Sequence, residues 1–88
     1  MISRKEGKNI AGEMFKNSFD INTLISVKER LCTAERLDGD KLTVHFGLFD
    51  EKMDENKENY PETIFTAMVN LRNGTSVVVF AKDGMWVK

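Results

Sequence analysis

Apolar residues recur at two different spacings along this chain, and the change of spacing divides it into two parts. In the N-terminal part they return every three or four residues, which is the period of an amphipathic helix. After Gly39 they alternate with polar residues, as in KLTVHFGLF, which is the period of a half-buried strand. This order predicts an α+β fold in which two N-terminal helices pack on a four-stranded antiparallel β-meander.

The first helix is predicted over about residues 3–17. Ser3 and Glu6 have the spacing of a capping box, in which both side chains bond to free backbone N–H groups at a helix start. Gly7 and Gly12 each cost about 1 kcal/mol relative to alanine inside a helix, so this helix needs tertiary packing to be stable. Its apolar positions are Ile10, Ala11, Met14 and Phe15.

Residues 21–37 allow two interpretations. On a helix, their apolar residues fall on one half of the cylinder, and Gly39 suits the left-handed position after the last turn. The segment TLISV is rich in β-branched residues, however, and LDGD also has the composition of a hairpin turn. We favour a second helix over about 21–37, and the alternative is one helix followed by a five-stranded meander.

The strands are predicted over about 41–49, 62–72, 75–82 and 85–88. Asn-Gly at 73–74 and Asp-Gly at 83–84 are the dipeptides that most often form two-residue hairpin turns. A two-residue turn at 73–74 pairs Val69 with Val78, because the length of the loop determines the register of the strands.

This register makes both faces of the sheet apolar, whereas an antiparallel sheet with one face in water alternates apolar and polar residues. One face holds Val69, Val78 and Phe80 among other apolar residues. Two helices of this length cover one face well but not both, so either the helices straddle the sheet or a second molecule covers one face. We predict that the other face is an apolar patch that binds a protein partner or a second copy of the chain. The residues predicted for this face are Ile64, Met68, Val77, Val79 and Trp86, with His45 and Phe49 from the first strand.

The segment FDEKMDENKENYPE, residues 49–62, holds six carboxylates and two lysines, a net charge of −4. An EF-hand calcium loop requires glycine at its sixth position and glutamate at its twelfth. Counted from Asp54, these positions hold Asn59 and Phe65, so the spacing excludes a calcium loop of this type. We predict an acidic rim beside the apolar face that attracts a partner with a basic surface. The rim residues are Asp50, Glu51, Asp54 and Glu55.

The composition bounds the class of protein. Of 88 residues, 41% are hydrophobic and 31% are charged, which predicts a single domain over residues 1–88. Cys32 and His45 are the only residues of their kinds, and no glycine-rich phosphate loop occurs, so we predict no enzyme activity, no metal site and no cofactor. The chain lacks an apolar stretch that could cross a bilayer and an N-terminal signal-peptide pattern, which predicts a cytoplasmic protein with no membrane partner.

The N-terminal helix offers a different kind of site. The chain as a whole carries a net charge of −1, but residues 1–19 carry four basic against two acidic residues. Basic patches near aromatic residues are typical of nucleic-acid-binding surfaces. An alternative function is therefore nucleic-acid binding through Arg4, Lys5, Lys8 and Lys16.

The stretch VHFGLFDEKMDEN, residues 44–56, resembles the phage uracil-DNA glycosylase inhibitor family in having a strand with a central histidine followed by an acidic turn. The chain length and the order of the predicted elements are also similar. The resemblance implies acidic DNA mimicry, combined with an apolar pocket between a helix and the sheet that receives a side chain of the enzyme. It also implies that Asp20 and Glu29 correspond to acidic contacts in that family.

Together these patterns predict a small non-enzymatic protein-binding module, either a stoichiometric inhibitor or an adaptor, that acts through an apolar sheet face with an acidic rim. The alternatives are a small nucleic-acid-binding protein that uses its basic helix, and a homodimeric accessory protein whose sheet face is buried against its own copy.

Overall fold

The computed structural model of the chain describes residues 1–19, 22, 24–25, 28–48 and 62–82. Neighbouring strands are antiparallel and the sheet order is β1-β2-β3-β4, so the predicted α+β class is confirmed. No helix within these ranges is long and apolar enough to cross a membrane. The elements are α1 (Arg4–Ser18), β1 (Leu31–Asp38), β2 (Lys41–Leu48), β3 (Glu62–Asn70) and β4 (Ser76–Ala81).

The second helix predicted over 21–37 is wrong from residue 31 onward, because these residues belong to β1. Gly39, with a φ of +61°, opens a two-residue turn that places Asp38 opposite Lys41. A positive φ at this position matches the twist of the flanking strands. Pairing with β2 over the whole of β1 stabilises the strand, although the apolar residues of this segment also fit a helical period. The alternative of one helix followed by a meander matches the described part, and its strand over 85–88 lies outside the described residues.

α1 is held near its start by a cap and by close contact with the sheet. The hydroxyl oxygen of Ser3 accepts a hydrogen bond of 3.1 Å from the backbone N–H of Glu6, as predicted for the serine of a capping box. A β-carbon on Gly7 would lie 2.5 Å from Leu71 Cδ2 and 3.1 Å from Leu42 Cδ2. Glycine at position 7 therefore lets the helix approach the sheet without displacing these two side chains.

The core lies between α1 and one face of the sheet. The ring of Phe15 stacks on that of Phe46, with centroids 4.4 Å apart and planes 6° apart, and meets Phe65 edge-on at 5.7 Å. Such aromatic contacts add specific geometry to the burial of large apolar surfaces. The other buried apolar residues of the core are Ala11, Phe19, Leu42, Val44, Ile64, Ala67, Val69 and Leu71.

α1 lies over the two central strands, with most of its contacts to β3 and β2. A helix with its side chains is about 10–12 Å across, and strands are about 4.8 Å apart, so one helix covers roughly two strands. Thr33 and Leu37 of β1 and Val78 of β4 face the same side as the core but are exposed. The two outer strands therefore carry exposed surface on the side of the sheet that the helix occupies.

The loop between β3 and β4 is longer than the sequence predicts. The backbone N–H of Asn70 donates to the carbonyl oxygen of Thr75 at 2.8 Å, and the N–H of Gly74 donates to the carbonyl oxygen of Asn70 at 2.8 Å. Four residues therefore form the loop instead of two. As a result, Val69 pairs with Ser76, and the predicted pairing with position 78 is wrong.

A bulge in β4 changes the face of the residues that follow it. Ala67 pairs with Val78, but Thr66 pairs with Phe80, so Val79 is an additional residue on β4. Residues that pair across two strands lie on the same face of the sheet. The bulge thus moves Phe80 from the predicted core face to the opposite face, because one extra residue reverses the alternation of side chains.

Candidate binding surfaces at the two edges of the sheet

Three residues predicted to bind a partner lie on the sheet face turned away from α1, which we call the far face. Met68 and Val77 are cross-strand partners. They lie on this face because Val69, the next residue after Met68, faces the core. His45 is the cross-strand partner of Thr66, and its Nδ1 atom lies 2.9 Å from the Thr66 hydroxyl oxygen. The far face therefore combines apolar side chains with one polar pair at its centre.

Ile64 is buried, so its predicted position on the exposed sheet face is wrong. The register between β2 and β3 shifts beside it, because Phe46 pairs with Phe65 whereas Gly47 pairs with Thr63. The extra residue at this shift is Ile64, which is only 1% exposed and belongs to the core. A side chain enclosed in this way cannot contact a partner unless the core opens.

Four consecutive apolar residues of β4 are exposed, and we call them the β4 strip. Val77, Val78, Val79 and Phe80 are 50%, 45%, 57% and 46% exposed. The sequence predicts Val77 and Val79 for the exposed face, whereas its register places Val78 and Phe80 on the opposite face. Phe80 is exposed because of the bulge, and Val78 is exposed because α1 lies over the central strands.

β4 is an outer strand of the described four-stranded sheet. Outer strands of natural proteins are usually short or carry charges, proline or bulges, because a regular apolar edge associates readily with other chains. The β4 strip carries no charge and no proline within its four residues, and its bulge at Val79 is the one protection of this kind. It is the longest run of exposed apolar residues among the described strands.

The remaining residues predicted for the partner-binding surface lie outside the described residues. They are Phe49, Asp50, Glu51, Asp54, Glu55 and Trp86, together with Asp20 of the family resemblance. Glu29 is described, and it is exposed in a turn that precedes β1.

The opposite edge of the sheet forms a groove with α1, which we call the cationic groove. Its volume is about 570 Å³, and it lies beside β1, where the helix leaves the sheet uncovered. Thr33 and Phe46, which are cross-strand partners, line it from the sheet. One stripe of α1 lines it from the helix, consisting of Lys5, Lys8, Asn9, Gly12, Glu13 and Lys16.

Three of the four basic residues predicted to bind nucleic acid thus line one groove. The fourth, Arg4, donates from Nη2 to Oε1 of Glu35 at 2.9 Å. Lys8 Nζ lies 4.0 Å from the second oxygen of the same carboxylate, and Lys16 Nζ lies 3.6 Å from Oε1 of Glu13. These lysines are more than half exposed, and exposed ion pairs of this kind contribute about 0–1 kcal/mol. Their charges remain able to interact with an anion that enters the groove.

The two glycines of α1 differ in their surroundings. A β-carbon on Gly7 would collide with the sheet, whereas one on Gly12 would meet nothing within 4 Å. Packing therefore explains glycine at position 7 but not at position 12. Gly12 lies at the middle of the stripe that lines the cationic groove, and the absence of a side chain there keeps the groove open.

Cys32 and His45 form hydrogen bonds to different partners. Cys32 lies on β1 rather than on a helix, and its Sγ atom is 3.5 Å from the carbonyl oxygen of Gly47. His45 is bonded to Thr66 instead. Among the described residues, no group of three or more His, Cys, Asp or Glu side chains is arranged to hold a metal ion.

Comparison with protein-family models, with curated proteins and with solved structures finds no match to this chain. The resemblance of residues 44–56 to the glycosylase inhibitor family therefore stays a prediction. The exposed surfaces at the two edges of the sheet are the features from which a function can be argued.

Proposed function

We propose that this chain is a small non-enzymatic protein-binding module whose partner docks on the β4 strip. The observation that supports this proposal is the run of four consecutive apolar side chains on an outer strand, each about half exposed. Monomeric soluble proteins rarely expose contiguous apolar patches without a binding role.

The strip has the composition of an interface centre. Burying a Val or Phe side chain that was fully exposed contributes about 1.5–3 kcal/mol. Val78 faces the side of α1, so a partner on the far face covers the remaining half of Val77 and Phe80, which favours docking by a few kcal/mol at most. Phe80 is the aromatic residue of the strip, and aromatic anchors often account for much of the binding free energy of an interface. The three valines are stiff β-branched side chains, which lose little rotamer freedom when a partner covers them.

The partner is a protein with a basic surface beside its apolar contact. Leu48 pairs with Glu62, and Phe65 pairs with Ala81, so the two residues that flank segment 49–61 in the sequence lie at the end of the sheet where β4 finishes. Residues 49–62 carry a net charge of −4. Carboxylates joined to the sheet at this end attract basic partners and raise the rate of association. A stoichiometric inhibitor or an adaptor is the role that fits such a module.

The test uses three tagged proteins, namely the wild type, a double variant and a control variant. Each captures proteins from the native host, and quantitative mass spectrometry identifies what is bound. The double variant Val77→Thr, Val79→Thr keeps β-branched side chains but makes the strip polar. The matched control is Leu37→Thr, which changes a 45% exposed apolar residue on the opposite outer strand. We expect one partner that binds the wild type and the control stoichiometrically and is lost from the double variant.

Equal capture by all three variants would exclude the β4 strip as the docking surface. Sedimentation of the wild type tests the homodimer alternative: a dimer that the double variant converts to a monomer shows that a second copy occupies the strip. Trp86→Ala tests the sequence prediction for that residue, since a folded variant that still captures the partner excludes Trp86 from the interface.

A further inference from the structure

We propose that the cationic groove binds the backbone of a single-stranded nucleic acid. This function is separate from partner docking at the β4 strip, because β1 and β4 are the two outer strands of the described sheet. Three strand spacings of about 4.8 Å separate them, and α1 lies between the two surfaces.

The charges of the groove lie in a line. Lys5, Lys8 and Lys16 are separated by three and eight residues, which places all three on one stripe of α1. With a rise of about 1.5 Å per residue, the stripe extends for roughly 16 Å along the helix axis. A ligand whose negative charges are also distributed in a line matches this arrangement better than a single small anion. Glu13 is the one carboxylate that lines the groove, so its lining carries a net positive charge.

Gly12 is the second observation that supports a ligand in the groove. Glycine inside a helix costs about 1 kcal/mol relative to alanine, and at position 12 no neighbouring atom would obstruct a side chain. Residues that break a local rule of stability without a packing reason tend to lie at functional sites. A missing side chain between Lys8 and Lys16 lets a strand pass close to the helix and reach the sheet below it.

The floor of the groove distinguishes a single strand from a duplex. The floor consists of exposed Thr33 and of Phe46, which is only 6% exposed and is stacked on the ring of Phe15. Proteins that bind single strands combine a basic wall for the phosphates with an apolar or aromatic surface for the bases. A duplex holds its bases inside, so it would contact the lysines but leave this floor empty. An acidic peptide would likewise contact the lysines and leave the floor empty.

The test measures the affinity for a fluorescent oligothymidylate of about 12 nucleotides, a length within the range of single-strand sites. Anisotropy titrations at several salt concentrations compare the wild type with three variants. Gly12→Leu fills the groove without changing its charge. The triple variant of Lys5, Lys8 and Lys16 to Gln removes the line of charges. A control triple variant of Lys28, Lys41 and Lys82 to Gln removes the same charge from residues outside the groove.

We expect Gly12→Leu to weaken binding roughly tenfold, because the base contacts of a single strand are lost when the groove is filled. The groove triple variant should weaken binding more than tenfold and reduce the slope of log K against log salt by about 2, since each phosphate contact contributes about 0.7 for a single strand. The control triple variant should reduce binding only slightly. Glu13→Gln should strengthen binding, because it removes the carboxylate beside Lys16.

Three results would overturn the proposal. One is the absence of binding at low salt. Another is Gly12→Leu binding as tightly as the wild type, which would assign any affinity to charge alone. The third is equal competition by polyglutamate or by a duplex of the same length, which would assign the groove to another class of polyanion. The β4 double variant should bind the oligonucleotide as the wild type does, so failure of one proposal does not decide the other.

Discussion

The rings of Phe15 and Phe46 are stacked, with centroids 4.4 Å apart and planes 6° apart. This contact joins the C-terminal half of α1 to β2, a central strand of the described sheet. Phe46 is only 6% exposed, and it also lines the cationic groove. The same residue pair therefore stabilises the core and supports the floor of a candidate binding site.

Removal of the Phe15 ring should destabilise the fold strongly. Phe15 is buried and contacts three other phenylalanine rings, namely Phe19, Phe46 and Phe65. Phe15→Ala should lower the free energy of unfolding by about 3–5 kcal/mol, as large-to-small core changes do. A loss of this size is a large fraction of the total stability of a small domain, which is about 5–15 kcal/mol. Urea unfolding should therefore include the milder variant Phe15→Leu, for which a smaller loss is expected. A change below about 1 kcal/mol for Phe15→Ala would contradict the described packing.

Substitution of alanine for three glycines should change stability in opposite directions. A β-carbon at Gly12, Gly39 or Gly74 would meet nothing within 4 Å, so only the backbone distinguishes these positions. Gly39 and Gly74 have φ values of +61° and +75°. Alanine there should cost about 1–2 kcal/mol, whereas Gly12→Ala should add about 1 kcal/mol by its helix propensity. Thermal unfolding of the three variants measures these changes in stability. Equal changes at all three positions would contradict the described backbone conformation.

Gly7→Ala should destabilise the protein although it lies in the same helix as Gly12. The new β-carbon would force Leu71 and Leu42 to move, and overpacking of a core costs about 1–3 kcal/mol. This cost exceeds the gain of about 1 kcal/mol in helix propensity. Gly12→Ala is the matched control, and denaturant unfolding should place the two variants on opposite sides of the wild type.

Loss of the helix cap should have a moderate and local effect. Ser3→Ala removes the acceptor for the N–H of Glu6 and should cost about 1 kcal/mol. Ser3→Asp keeps an acceptor at this position and should retain wild-type stability. Circular dichroism during chemical unfolding measures both variants, and equal stability of Ser3→Ala and Ser3→Asp would exclude the cap as a source of stability.

The polar pair on the far face should be energetically coupled. Thr66 is 4% exposed and its hydroxyl group bonds to His45 Nδ1. Thr66→Val keeps the shape but removes the hydroxyl, and a net loss of about 1 kcal/mol is expected for such a bond. A double-mutant cycle with His45→Ala isolates the interaction between the two side chains. A coupling energy near zero would show that the hydrogen bond does not contribute to stability.

Much of the fold follows from local signals in the sequence. The cap at Ser3 and the strand periodicity after Gly39 depend on residues close together along the chain, and the structure agrees with both. The segment before Gly39 is misassigned because its apolar residues satisfy a helical period as well as a strand. Pairing with β2 decides between them, and that contact is not visible in the periodicity of either segment alone.

The candidate sites were predicted in part. The sequence indicates the lysines of α1 as a basic patch, but Thr33 and Phe46 join them only after β1 pairs with β2. It indicates Val77 and Val79 for the exposed face, but places Phe80 on the opposite face because a two-residue turn without a bulge was expected. The four-residue loop and the bulge result from how β4 fits along β3, which no local pattern reports.

The sequence by itself determined the α+β class, the first helix and most of the strands, because these depend on periodicity and on turn residues. Only the tertiary structure decided which surfaces remain exposed. One helix is wide enough to cover about two strands, and the close approach at Gly7 places it over the central pair. The outer strands are consequently uncovered, and their side chains make one edge a cationic groove and the other an apolar strip.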